Sequence, residues 1–214
     1  MNIQKTYPGQ EQLERVWAPQ TIYDKVAGKY MIYWSMKYKD GPDRIYYAYA
    51  NKDFTALEGK PRQLFFSPDD KSCIDADIVY KNGKYHLFFK TEGHGNGIKQ
   101  AVSDSLTSGY VLQDKYLQQT TVPVEGSSIF KLNSGKGYIL MYDMYSTGKY
   151  QFTYTEDLER FKVVDESVEM NFHPRHGTVI PVTTAEAERL VTKWGTTADV
   201  ILSAHSEAIK KIKG

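Results

Sequence analysis

Hydrophobic and polar positions alternate along most of this chain in short runs, and Gly-containing turns break one run from the next. Trp17-Ala-Pro-Gln-Thr-Ile-Tyr-Asp leads through Gly28-Lys29 to Tyr30-Met-Ile-Tyr-Trp34. Asp75-Ala-Asp-Ile-Val-Tyr leads through Asn82-Gly83-Lys84 to Tyr85-His-Leu-Phe-Phe89, and Glu125-Gly-Ser-Ser-Ile-Phe leads through Gly135-Lys136-Gly137 to Tyr138-Ile-Leu-Met-Tyr142. Each stretch reads as a strand, a tight turn and a second alternating strand. Third strands follow at Ile45–Ala50, Ile98–Ser103 and Tyr150–Thr155.

The period is close to fifty: Asp75 to Glu125 is 50 residues and Glu125 to His176 is 51. A meander of three or four strands repeated at that length is the pattern of propeller blades around an axis. A β-sandwich also has many short strands, but nothing in it requires a whole meander to recur at fixed spacing. The expectation is an all-β, five-bladed propeller type that is incomplete, with three full blades plus one strand of another. That fourth unit starts at His173-Pro-Arg-His-Gly-Thr-Val-Ile-Pro-Val and breaks off. Thr183 followed by Glu186 then predicts a capped helix over Ala185 to Trp194, ended by Gly195. Asp199 to Lys213 reads as a second amphipathic helix or a tail. The expected organisation is a polar N-terminal segment over 1–15, the propeller over 16–195, and a C-terminal helix or tail over 196–214.

Composition narrows the function classes. Against 27 basic side chains stand 26 acidic ones, so the formal charge of +1 leaves no electrostatic footprint for nucleic acid. No apolar run approaches a membrane span, and Met1 to Glu14 lacks an apolar signal core. The compartment and the oligomeric state are therefore not legible. Aromatic content is 14%, with 17 Tyr, which suits strands and also suits sugar rings. A single cysteine, Cys73, excludes an internal disulfide and reads as a buried residue.

The first residues of a propeller's innermost strands face one end of the central channel, so repetition turns sequence spacing into proximity. The residues so placed are Trp17, Asp75, Glu125 and His176. Two carboxylates at one pocket suit acid/base cleavage of a glycosidic bond, one protonating the leaving oxygen and another activating water. Asp77, on the alternate side of its strand, reads as a turn or surface residue. His173 and His176 have a His-x-x-His spacing, but Pro174 and the strand context argue against zinc. Gly93-His-Gly-Asn-Gly97 joins two strands and reads as a hairpin loop, not a phosphate cradle.

In their order along the chain, Trp17-Ala-Pro-Gln, Ile74-Asp75-Ala76, Val124-Glu125-Gly126-Ser127 and Arg175-His176-Gly177-Thr178 resemble the blade motifs of glycoside hydrolase family 43. The resemblance covers roughly Val16 to Gly195. It implies a five-bladed propeller that hydrolyses α-L-arabinofuranosyl or β-D-xylosyl linkages of plant glycans with inversion. It implies Glu125 as general acid and Asp75 as the carboxylate that orients it and raises its pKa. Trp17, His176 and Arg175 fall at the sugar-binding end, and Lys90 and Glu92 are expected at the pocket rim. No cofactor is required by the resemblance; calcium, met by His176 through water, is the one candidate ion. If the full-length protein follows the family, a periplasmic or secreted location is expected.

The family's third carboxylate, an Asp opening the first blade as general base, has no match among Met1 to Val16. Glu11 and Glu14 sit in Gln-Glu-Gln-Leu-Glu-Arg, which reads as a solvated segment. The expectation is either a fragment of a longer product or a degenerate member, with hydrolysis severely impaired. The competing class is a non-catalytic propeller that binds glycans or a protein partner.

Overall fold

The computed structural model describes residues 3–7, 10–69, 71–92, 97–170 and 175–195. The chain divides into two compact units, Met1–Val179 and Ile180–Gly214. In the first, a short helix α1 (Ile3–Thr6) precedes three four-stranded antiparallel sheets. The first blade is β1 (Leu13–Asp24), β2 (Lys29–Tyr38), β3 (Arg44–Ala50) and β4 (Leu57–Phe65). The second is β5 (Cys73–Lys81), β6 (Lys84–Thr91), β7 (Gly97–Ser103) and β8 (Val111–Gln113). The third is β9 (Glu125–Lys131), β10 (Tyr138–Met144), β11 (Lys149–Thr155) and β12 (Lys162–Val163). The sheets do not close into a barrel; the innermost strands β1, β5 and β9 lie side by side in that order. The architecture is an incomplete all-β propeller.

Period-two alternation explains how flat blades stack. On β2, Met31 and Tyr33 pack with Leu87 and Phe89 of β6 between the first two blades, while Trp34 and Met36 turn to the other face. Phe88 of β6 meets Leu140 and Tyr142 of β10 between blades two and three, and Ile139 and Met141 face the far side. Full burial of such a side chain stabilises by about 1.5–3 kcal/mol, so two-faced alternation holds a blade between its neighbours. Ile3 packs on the outer face of blade one, and Val164 and Val168 on the outer face of blade three. Cys73 is buried, as expected.

Three expectations are corrected. Strand β1 begins at Leu13, inside the segment expected to be polar, because Leu13 is buried and Arg15 pairs with buried Asp43. The segment from Gly177 to Val182 is not a strand, since among the described residues no hairpin follows to pair it and Pro181 has no N–H to give. The expected single domain over 16–195 divides at Val179. The second unit carries α2 (Thr184–Trp194), one residue longer than predicted, with the Thr183/Glu186 capping box in place. Its terminating Gly195 has φ −84°, so it stops the helix in extended backbone. The helix expected over 199–213, the pair His173–Pro174 and most of the Gly93–Gly97 loop lie outside the described residues. Among those described, no helix is long and apolar enough to cross a membrane.

Candidate active site

Each innermost strand carries a bulge built on one residue with positive φ: Ala18 (48°), inside β1, and Asp75 (54°) and Gly126 (63°), near the starts of β5 and β9. His176 repeats the conformation at 56° where the next blade would begin. Such a residue re-aims the chain locally, and in each case it and the residue after it line one recess. The entrance is thus a pair of residues: Trp17–Ala18, Ile74–Asp75, Glu125–Gly126 and Arg175–His176. The repeat spacing puts Trp17, Asp75, Glu125 and His176 in one register. The structure shifts it: Asp75 and His176 hold the left-handed position, whereas Trp17 and Glu125 precede it by one.

The four entrances surround one recess, lined by Ala18, Pro19, Gln20, Asp75, Ala76, Gly126, Ser127, His176, Gly177 and Thr178. Asp75 is buried at its base. Its Oδ2 accepts the Gly126 N–H at 2.8 Å, its own N–H donates to Ser35 Oγ at 3.1 Å, and Ser127 Oγ donates to its carbonyl at 2.8 Å. Glu125 stands beside the recess. Its Oε1 lies 3.0 Å from His176 Nε2 and 3.1 Å from Arg175 Nη2, and its Oε2 lies 3.7 Å from Lys90 Nζ. Asp75, Glu125 and His176 converge, with one polar atom of each inside 4.8 Å of the others. The packing is close enough that a Cβ on Gly126 would meet the His176 ring at 3.0 Å and press it outward by a few tenths of an ångström, on a backbone that favours glycine.

The two carboxyls are tuned apart. Burial raises Asp75 above its ordinary value, with help from the Glu125 charge and against the Gly126 N–H, His176 and Lys90. Burial also pushes Glu125 upward, but the hydrogen bond and charge of His176, then Lys90 and Arg175, outweigh it and hold the group below its ordinary value. Carboxyls that activate water in an inverting cleavage stand about 6.5–9.5 Å apart. Asp75 and Glu125 are closer than that, so one can tune the other but the pair cannot bracket a sugar and a water.

The remaining predicted residues sit around this centre. Lys90 is buried and also lies 3.3 Å from Glu92 Oε1, so Glu92 reaches the site through Lys90. Arg175 joins Glu125 to Asp143, whose Oδ2 accepts Arg175 Nε at 2.6 Å. Trp17 is half exposed outside the recess, with the Arg15 guanidinium 4.0 Å from its ring centroid. Calcium takes six to eight oxygen ligands. The described donors here are one imidazole and two carboxylates, and both oxygens of Glu125 already face cations, so they do not fit calcium held directly by side chains. Sequence reasoning missed two carboxylates. Asp143 is buried opposite Glu125 on β10. Asp77 is not at the surface: its buried Oδ2 accepts from Ile129 N–H and Ser128 Oγ, and its Oδ1 from Tyr33 Oη and Ile78 N–H.

Comparison with known proteins agrees with this architecture. Solved structures with the same fold include a thermostable family-43 glycoside hydrolase, 15% identical with a TM-score of 0.52, covering 77% of this chain and 63% of that one. An endo-1,4-β-xylanase from Bacteroides thetaiotaomicron is 18% identical at TM-score 0.52, covering 71% and 59%. A family-43 β-1,3-galactosidase is 15% identical at TM-score 0.52, covering 69% and 45%. The chain therefore spans less than two thirds of the length of these relatives. Among curated proteins it finds no match. Residues 3–188 match the family described as a probable glycosyl hydrolase domain, related to glycoside hydrolase family 43, and the chain belongs to that family.

Proposed function

We propose that this chain supplies the acid side of a glycosidase site that cleaves O-glycosidic bonds in arabinose- or xylose-containing glycans with inversion. The observation that supports this reading most is the convergence of Asp75 and Glu125, from separate blades, on one recess with His176. In this reading Glu125 protonates the leaving oxygen, and Asp75, buried behind it, opposes its ionisation by like charge. Trp17 offers a flat face to a sugar, and Lys90, Arg175 and Glu92 set the charge around Glu125. Calcium near His176 would be met through water, and no step depends on it. A general base is not supplied by the described recess, where Asp75 is the only carboxylate in the lining.

A second reading is favoured by one observation: Glu125 is ion-paired on both oxygens and titrates low, which suits a carboxylate that accepts hydroxyl hydrogen bonds more than one that donates a proton. In that reading the recess binds glycans without turnover. The two separate on one assay. Release of aryl alcohol from an aryl α-L-arabinofuranoside or β-D-xyloside, abolished by Glu125→Gln, supports the enzyme. Binding of the corresponding oligosaccharide by calorimetry with no release in the same preparation overturns it in favour of the binding module.

A further inference from the structure

We propose that one position of the repeat, the second-strand residue paired with the first member of each entrance, is a positioning site for the entrance of the next blade. Its occupants are Ser35 opposite Trp17, Lys90 opposite Ile74 and Asp143 opposite Glu125. All three are buried. Each side chain reaches forward by one blade. Ser35 Oγ accepts the Asp75 N–H at 3.1 Å, Lys90 Nζ faces Glu125 Oε2 at 3.7 Å, and Asp143 Oδ2 accepts Arg175 Nε at 2.6 Å. A hydroxyl, a cation and a carboxylate thus do the same geometric task with different charge.

Asp143 shows the constraint most sharply. Its Oδ1 is buried with no hydrogen-bond partner among the described residues, an arrangement that is costly for a carboxylate. What it holds is an arginine whose side chain is 60% exposed, and which would otherwise sample many solvated rotamers. Anchored at Nε, the guanidinium presents Nη2 to Glu125 at 3.1 Å. Asp143 therefore acts on Glu125 through Arg175, as Lys90 acts on it directly. Only the last link, from Glu125 to chemistry, rests on the function proposed above.

The test uses the full chain with 15N-labelled arginine. The Arg175 Nε–H signal is assigned by its loss in Arg175→Lys. Asp143→Asn is expected to speed its exchange with solvent about tenfold, whereas Glu125→Gln leaves it within about twofold. Equal release by both substitutions, or no change in Asp143→Asn, overturns the proposal. Should Asp143→Asn not fold, Ser35→Ala carries the test in the first blade. There, amide exchange at Asp75 is expected to quicken about tenfold while Ile78, whose amide goes to Tyr33 Oη and Asp77, stays protected; equal protection at Asp75 overturns it. Neither readout needs turnover, so failure of the glycosidase reading leaves both intact. Where aryl glycosides are turned over, Asp143→Asn is expected to lower kcat about tenfold with KM within about twofold, and an unchanged kcat overturns the link to Glu125.

Discussion

The Gly126 N–H donates to Asp75 Oδ2 at 2.8 Å, across 51 residues of sequence, and so ties the entrance of the third blade to that of the second. Asp75 also holds a left-handed backbone conformation, which Asn tolerates and most residues do not. Asp75→Asn keeps both the conformation and an acceptor, and is expected to lower stability by less than about 1 kcal/mol. Asp75→Ala loses the acceptor and holds the conformation only under strain, and is expected to lower it by about 2 kcal/mol. Urea unfolding of the two variants checks the ranking; equal losses would show that neither the bond nor the conformation matters.

The repeated left-handed position gives opposite expectations at two of its members. Gly126→Ala adds a Cβ that meets the His176 ring at 3.0 Å on a backbone at φ +63°, and is expected to destabilise by about 1–2 kcal/mol and to move His176 off Glu125. Ala18 already carries a Cβ at φ +48°. Ala18→Gly relieves that strain at the expense of a freer unfolded chain, and a net gain of up to about 1 kcal/mol is expected. Thermal unfolding of both variants reads the sign.

Trp17 is placed by a chain of contacts that starts in the core. Buried Asp43 receives Arg15 through Nε at 2.9 Å and Nη2 at 2.5 Å, and it also accepts Ser72 Oγ at 3.1 Å. Arg15 in turn covers one face of the Trp17 ring. Asp43→Ala is expected to destabilise by about 2 kcal/mol, less than for a fully buried pair because Arg15 is partly solvated. It should also shift Trp17 emission, isolated by difference against Trp17→Phe, to the red. An unchanged Trp17 spectrum would show that Arg15 does not hold the ring.

The strands that could be read from the sequence are those buried on both faces, such as Met31–Met36 and Leu87–Phe89, where alternation is reinforced by tight glycine turns. The outer strands escaped notice because β4 is mostly exposed and β8 and β12 have three and two residues. Convergence of Asp75, Glu125 and His176 followed from spacing alone. Their register did not, because a left-handed residue is conspicuous as Gly126 but silent as Ala18, Asp75 or His176. Asp143 and Asp77 were hidden for another reason: a carboxylate is ordinarily a surface residue, and only the blade behind it reveals that it is buried.

Asp77 gives the pH dependence. Burial raises its carboxyl to about 6, against the bonds it accepts from Ile129, Ser128, Tyr33 and Ile78. In the unfolded chain the group titrates near the ordinary value of 3.8. Between those values the folded state holds more protons than the unfolded one, so its contribution to stability falls as pH rises. The favourable part is fully present below about 4 and is lost as pH passes about 6, a change of roughly 2–3 kcal/mol. Other carboxyls titrate in the same range, so the expected signature is a difference: stability of the wild type minus that of Asp77→Asn falls from pH 4 to pH 6 and is flat above about 7. At low pH the protonated carboxyl and the Asn amide are both neutral; as pH rises the wild type loses stability that the variant keeps, so the variant gains on it. Urea unfolding across pH for both proteins measures it, and a difference that is flat or rises with pH would mean that Asp77 is ionised in the folded blade stack throughout.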